Sequence, residues 1–261
     1  MNSSAATRPI RAPGPRRALT ACLAPLAAMT AAVLLSVLLG WTLRALPAVS
    51  AWDLSLVVAA NHSLTENAGR LAVGIDVAFG PALAAALVAL AALLAGLLHR
   101  SRWAALRAAL LVAVPWAIVE LIKLVVRRPR PDADLLLQQL VPEPHTFSYP
   151  SGHTACAAAF ATVLVLALPA GWQRRLALVP AVLLVLATAW SRVALGVHHP
   201  SDVLVSLLLV PVLCLFLARL LDLLHPAADP RPAGIAEGAI EGVPGGVGVT
   251  EDVVEEVTRR W

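Results

Sequence analysis

Charged residues are scarce in this chain, and few of them interrupt its long apolar segments. Asp, Glu, Lys and Arg together make up 14% of the 261 residues, whereas hydrophobic residues make up 59%. This balance excludes an ordinary soluble domain and is typical of a polytopic membrane protein. The formal charge of +4 does not indicate nucleic-acid binding, because the arginines lie in short groups between apolar segments rather than in one patch.

Cysteine and lysine are also rare. Cys22, Cys156 and Cys214 lie in apolar segments without metal-ligand spacing, so we expect buried thiols that pack between helices and no disulfide. The only lysine, Lys123, heads a basic run at the end of an apolar segment. Its compact ammonium group suits a phosphate oxygen, and a snorkelling interface anchor is the alternative. Glu120, three residues earlier, can form an intrahelical pair with it.

Six apolar segments are long enough to span a bilayer. We predict them at residues 18–43, 71–98, 104–126, 150–168, 176–194 and 203–224. The stretch between the first two is predicted to be a loop with a short interfacial helix at residues 52–60. The predicted fold is therefore an all-α membrane bundle over residues 18–225. An N-terminal tail (residues 1–17) and a disordered tail rich in Pro, Gly and acidic residues (226–261) flank it.

Basic residues predict the orientation in a cell membrane. Six spans put both termini on one side, and most arginine groups between the spans fall on that side, which the positive-inside rule makes cytoplasmic. The loops at residues 127–149 and 191–202 then lie at the outer face. Basic residues in these loops run against the positive-inside rule, and we expect anion binding to be the reason for their presence.

The start of the fourth segment offers a phosphate site. A helix beginning near Pro150 would present unpaired backbone donors, to which Ser151 adds a hydroxyl group. Gly152 would let an anion approach the backbone closely, and His153 could give a proton to a departing oxygen or activate water. Ser151 as a simple helix N-cap is the alternative.

A second constellation lies between the fifth and sixth segments. Arg192 can hold an anion, and a carboxylate at Asp202 can fix the ring of His198 so that its other nitrogen is free as a nucleophile or ligand. A metal site formed by His198, His199 and Asp202 is the alternative. Basic residues nearby would repel a cation, so we favour the anion site.

In order along the chain, these residues resemble the three-part signature of the type 2 phosphatidic acid phosphatase superfamily, which also includes vanadium-dependent haloperoxidases. Eleven positions match: Lys123, Arg130-Pro131, Pro150-Ser151-Gly152-His153, Ser191-Arg192, His198 and Asp202. The six predicted spans resemble the integral-membrane branch of that family. The resemblance implies a phosphatase that needs no metal cofactor.

The resemblance also implies a role for each group. Phosphoryl oxygens would be bound by Lys123, Arg130, Ser151, Gly152 and Arg192. His198 would be the nucleophile that forms a phosphohistidine, with Asp202 orienting it. His153 would protonate the leaving oxygen and then help water to hydrolyse the intermediate.

The position of these motifs predicts a lipid phosphate as substrate, with its tail in the bilayer. Arg127 and Arg128 lie beside the signature and would suit a diphosphate, which favours an isoprenyl diphosphate such as undecaprenyl diphosphate. Phosphatidic acid, phosphatidylglycerol phosphate, a glycolipid phosphate and a phosphotransferase reaction stay open, as do a lipid transporter and a non-catalytic lipid-binding protein. The sequence makes no prediction of the oligomeric state.

Overall fold

The structure is a computed structural model that describes residues 15–225. Over this range the chain forms an all-α bundle, as predicted, with a short 3-10 helix at Ala133–Leu135. Its eight α-helices are α1 (Pro15–Ala45), α2 (Pro47–His62), α3 (Glu66–Phe79), α4 (Pro81–His99), α5 (Arg102–Val126), α6 (Gly152–Ala167), α7 (Trp172–Ala194) and α8 (Pro200–Leu224). The predicted C-terminal tail and residues 1–14 of the predicted N-terminal tail lie outside the described residues.

Five of these helices are long and apolar enough to cross a membrane: α1, α4, α5, α7 and α8. Helix α6 is also apolar, but its 16 residues fall short of the usual spanning length. Five of the six predicted spans are thus found as long apolar helices, and the predicted fourth span is a shorter one.

The second predicted span is interrupted. Helix α3 ends at Phe79 and α4 begins at Pro81, with Gly80 in an extended conformation between them. A proline lacks the backbone N–H that a continuing helix needs, so it is favoured at the first position of a new one. The apolar pattern runs straight through this point, which is why one long span was predicted. The break brings Gly80 next to the ring of His153.

The helix predicted at residues 52–60 is found, but the rest of the segment between the first two spans is also largely helical, so the predicted loop is wrong. Helix α2 covers Pro47–His62 and again starts with a proline. Thr65 then caps α3, because its side chain accepts a hydrogen bond from the backbone N–H of Ala68 at 3.3 Å. Helix α2 carries Asp53 and helix α3 carries Asp76, two acidic residues whose positions the predicted loop did not define.

Helix α6 lies in the centre of the bundle and contacts α3, α4, α5, α7 and α8. Eleven of its 16 residues are buried, and five of these are alanines. Small side chains let neighbouring helices pack closely, which fixes the position of the α6 N-terminus. Cys156 and Cys214 are buried free thiols as predicted, whereas Cys22 is half-buried.

Candidate active site

A cavity of about 870 Å³ lies at one end of the bundle. Its walls come from the α3–α4 corner, the ends of α5 and α7, the start of α6 and the loop that follows α5. Six of the eight predicted site residues line it: Lys123, Arg130, Gly152, His153, Arg192 and His198. The other two, Ser151 and Asp202, are fully buried behind this surface.

His198 has the surroundings of a neutral nucleophile. Its Nδ1 lies 3.6 Å from Oδ2 of Asp202, and its Nε2 lies 3.4 Å from a guanidinium N–H donor of Arg130. An arginine can only donate, so Nε2 is the acceptor and the ring proton belongs on Nδ1, facing the carboxylate. Burial lowers the pKa of His198 well below its ordinary value. The ring is therefore neutral, with a lone pair directed towards the cavity cations.

Asp202 is held in place by several donors. Its Oδ2 accepts hydrogen bonds from the backbone N–H of His199 at 2.8 Å and from the hydroxyl of Ser148. Its Oδ1 accepts one from Arg128 at 2.6 Å. Nδ1 of His199 also lies 3.4 Å from Oδ2. These contacts fix the carboxylate that faces the His198 ring.

Arg128 is a structural group rather than a second phosphate-binding cation. Its side chain is 2% exposed and forms ion pairs with Asp53 at 2.8 Å and with Asp202 at 2.6 Å. The neighbouring Arg127 is exposed, ends α5 in a left-handed conformation and donates to the carbonyl of Leu124 at 2.9 Å. Neither lines the cavity described above. Arg128 therefore gives no support to a diphosphate substrate, whereas the argument from Arg127 stays a prediction.

Two cavity cations are paired with carboxylates. The ammonium of Lys123 lies 2.9 Å and 3.0 Å from the oxygens of Glu120, which confirms the predicted intrahelical pair. Arg192 is buried and bonded to Asp76 of α3. A Cβ added at Gly152 would collide with the carboxylate of Glu120 and lie 3.3 Å from the Lys123 ammonium. Any larger residue at the start of α6 would force the Glu120 side chain, and with it the Lys123 ion pair, to move.

Asp76 also contacts His153. Its Oδ1 lies 3.1 Å from Nε2 of the histidine, and the hydrogen bond from His153 is the main cause that lowers the pKa of Asp76 to about 2. An ionised carboxylate stabilises a proton on the imidazole that faces it. Sequence reasoning gave Asp76 no role, although a carboxylate within an apolar segment is itself a signal of function.

Ser151 caps helix α6. Its hydroxyl accepts a hydrogen bond from the Thr154 hydroxyl at 3.1 Å and a longer one from the Thr154 backbone N–H at 3.5 Å. This contact corresponds to the alternative that the sequence left open. Its part in phosphate binding remains a prediction, whereas the α6 N-terminus itself opens on the cavity at Gly152.

The comparisons with known proteins agree on one family. The sequence model of the PAP2 superfamily matches residues 104–225. The chain is 33% identical over 159 residues to a decaprenylphosphoryl-5-phosphoribose phosphatase of Mycobacterium tuberculosis, covering 60% of this chain and 84% of that protein. It is 34% identical over 110 residues to the undecaprenyl-diphosphatase BcrC of Bacillus subtilis, covering 42% of this chain and 53% of that relative.

A solved structure shares the fold. It is the crystal structure of a transmembrane PAP2 type phosphatidylglycerolphosphate phosphatase from Bacillus subtilis, with a TM-score of 0.60 and 23% sequence identity. The likeness covers 74% of this chain and 93% of that one. At this identity the match concerns the arrangement of helices.

Proposed function

We propose that this chain, which belongs to the PAP2 superfamily and is a metal-independent membrane lipid phosphatase, hydrolyses a polyprenyl phosphate or diphosphate through a phosphohistidine intermediate. The observation that carries the proposal is the setting of His198. Its Nδ1 faces Asp202, while its Nε2 lies 3.4 Å from Arg130 in a cavity that Lys123 and Arg192 also line.

In the first step, Nε2 of His198 forms a bond to phosphorus as the bond to the leaving oxygen breaks. His153 gives that oxygen a proton, so the alcohol or phosphate leaves without an extra charge. The guanidinium and ammonium groups of Arg130, Arg192 and Lys123 stabilise the charge on the transferring phosphoryl oxygens. Asp202 stabilises the positive charge that develops on the His198 ring.

In the second step, water attacks the phosphohistidine. His153, now without its proton, removes one from the water as the new P–O bond forms. The P–N bond breaks and its electron pair returns to Nε2 of His198, which is neutral again. Inorganic phosphate is the product, and the site is ready for another cycle without any metal ion.

The cavity suits a substrate with a phosphate head and an apolar tail. Its cations lie together, while Val77, Phe79, Leu83 and Trp116 line another part of the wall. The polyprenyl class is supported by two relatives, whose names state an undecaprenyl diphosphate and a decaprenyl-linked phosphoribose as substrates. Phosphatidic acid, phosphatidylglycerol phosphate and transfer to an acceptor other than water are the alternatives.

Six membrane crossings fit the geometry of the site. Lys123 near the end of α5, Gly152 at the start of α6 and Arg192 near the end of α7 all line one cavity. Helix α6 must therefore lead away from the cavity for α7 to return to it. With α6 counted as a short sixth crossing, the N-terminal end of α1 and the C-terminal end of α8 lie on the same side of the membrane. The arginines at the α4–α5 and α6–α7 connections make that side cytoplasmic and the active site external.

Phosphate release by the purified protein tests the proposal. With a chelator present, undecaprenyl diphosphate, phosphatidic acid and phosphatidylglycerol phosphate are compared as substrates. We expect the polyprenyl substrate to have the highest kcat/KM, and His198→Ala to abolish release. The matched control is His62→Ala, which removes an exposed histidine at the end of α2.

Three outcomes would contradict the proposal. Release that stops with chelator would oppose the metal-independent mechanism, and release that survives in His198→Ala would oppose the nucleophile. A higher kcat/KM for either glycerol-based lipid would replace the polyprenyl substrate class while leaving the chemistry in place. Trapping a labelled phosphoenzyme in the wild type, and none in His198→Ala, would support the covalent intermediate directly.

A further inference from the structure

A second cavity, of about 610 Å³, lies beside the catalytic one. We call it the arginine cavity, because its lining includes Arg44, Arg127, Arg128 and Arg130. The ends of α1 and α5, part of α2 and the segment after α5 form its walls. Of the described residues, Arg130 alone lines both cavities.

The arginine cavity carries uncompensated positive charge. Within residues 15–225, Arg44 and Arg127 have no carboxylate at ion-pair distance, and each donates one hydrogen bond to a backbone carbonyl. Arg128 is neutralised by its two buried ion pairs. Asp132 is the only acidic residue among the lining residues described. A guanidinium group has five donors, so most of those on Arg44 and Arg127 are free to bind an anion.

Tryptophans place this cavity at the level of the lipid headgroups. Trp41 lies one turn before Arg44 on α1 and is 47% exposed, and its indole N–H donates to the carbonyl of Val125 at 3.5 Å. Trp52 on α2 is 63% exposed. Exposed tryptophans near the ends of membrane helices mark the boundary between acyl chains and headgroups. Basic pockets at this depth are suited to anionic headgroups.

Arg130 lies between the arginine cavity and the catalytic cavity. Its guanidinium donates to carbonyls of Thr146, Val197 and Phe147 and to the Thr146 hydroxyl, so it is fixed as a partition. The two adjacent histidines lie on opposite sides of this partition: His198 lines the catalytic cavity and His199 lines the arginine cavity. A phosphate held by Arg44 and Arg127 would therefore lie across this partition from the nucleophile.

From these observations we infer that the arginine cavity binds the headgroup phosphate of an anionic phospholipid from the leaflet beside the active site. A guanidinium group suits a phosphate because it can donate two parallel N–H bonds to the phosphate oxygens. The bound lipid is a resident of the bilayer and is not hydrolysed. The site is distinct from the substrate site and does not depend on which lipid phosphate the enzyme cleaves.

Lipid retention by purified protein tests this inference. Delipidated wild-type protein is incorporated into phosphatidylcholine vesicles that contain a fifth of phosphatidylglycerol, extracted in mild detergent and weighed by native mass spectrometry. The test variant is Arg44→Gln/Arg127→Gln. The matched control, Arg100→Gln/Arg102→Gln, removes two arginines at the opposite end of the bundle, between α4 and α5.

We expect the wild type and the control to retain one phosphatidylglycerol in preference to phosphatidylcholine. The test variant should lose this preference by roughly thirty-fold, at about five-fold for each basic residue removed. Equal retention by the test variant and the wild type would overturn the inference, as would an equal loss in the control. A normal preference combined with a raised KM for undecaprenyl diphosphate in the test variant would also overturn it, since the cavity would then serve the substrate.

Discussion

Oδ1 of Asp76 lies 3.1 Å from Nε2 of His153, and the same oxygen accepts a hydrogen bond from Arg192. One carboxylate from α3 therefore contacts both the proposed general acid and a phosphate-binding arginine. Asp76 does not belong to the family signature, yet it aligns two members of it. Its pKa is lowered to about 2, chiefly by the hydrogen bond with His153, so the carboxylate is ionised at neutral pH.

We predict that Asp76→Asn lowers kcat more than it raises KM. An amide keeps the shape but not the charge, so the proton on His153 loses the carboxylate that stabilises it. The expected loss is about ten- to a hundred-fold, smaller than the roughly 10²–10⁴-fold that general acid catalysis contributes, because His153 itself is kept. The basic limb of the pH–kcat profile should also move to lower pH. An unchanged profile with reduced kcat would show that Asp76 acts only by packing.

Arg128→Gln should unfold more easily than the wild type. The change leaves Asp53 and Asp202 as buried carboxylates without their cation, and such losses typically cost about 3–5 kcal/mol. Thermal unfolding in detergent measures the effect. Arg127→Gln is the matched control, because its side chain is exposed and has no carboxylate partner among the described residues. Equal melting temperatures for the two variants would contradict the structural role of Arg128.

Gly152→Ala should reduce kcat/KM by about ten-fold or more, because a small displacement of reacting groups is costly. The added methyl group would force the Glu120 carboxylate to move, and the Lys123 ammonium paired with it would shift as well. Gly74→Ala is the control, since a Cβ there has no neighbour within 4 Å.

A double-mutant cycle separates this collision from other effects of the methyl group. In a Glu120→Ala background, Gly152→Ala should cost much less than it does in the wild type, because the colliding carboxylate is gone. The kcat/KM values of all four proteins give the coupling. Additive losses would show that the collision with Glu120 is not the cause.

The acid limb of the pH profile of kcat/KM should lie below pH 6.5, the unperturbed value for histidine. The nucleophile must be neutral, and burial lowers the pKa of His198. Lowering the pKa means that the ring stays neutral as the pH falls, so activity persists to a lower pH than an exposed histidine would allow. Steady-state phosphate release between pH 4.5 and 8 measures the limb. A limb at or above 6.5 would contradict a buried neutral His198.

The signature predicted which residues meet at the cavity, but not what supports them. Lys123, His153 and His198 were identified because their residue types and spacing are typical of phosphate binding and phosphoryl transfer. Asp53 and Asp76 were missed because their partners lie far away in the chain, where no local pattern connects them. Arg128 was misassigned for the same reason, since its charge is neutralised only once α2 and α8 pack against it.

The helical breaks show a similar division. The proline signal at Gly80-Pro81 was present in the sequence, but the unbroken apolar pattern outweighed it and predicted one span. Helix α2 was underestimated because its polar residues suggested a loop, although Asp53 and Asn61 are buried by tertiary contacts. Local propensity thus predicted the long apolar helices well and the short helices around the site poorly.

The ion pairs of Arg128 link residues that are 75 and 74 positions away, in α2 and α8. Asp202 therefore lacks its cationic partner until α8 has docked beside the end of α5, and Arg128 lacks its second carboxylate until α2 has docked there as well. Chains that are still being inserted into the membrane cannot yet hold the nucleophile in place. A partly assembled chain would therefore lack the ion pairs that hold the carboxylate facing His198, and the proposed nucleophile would be in place only once α2, α5 and α8 have come together.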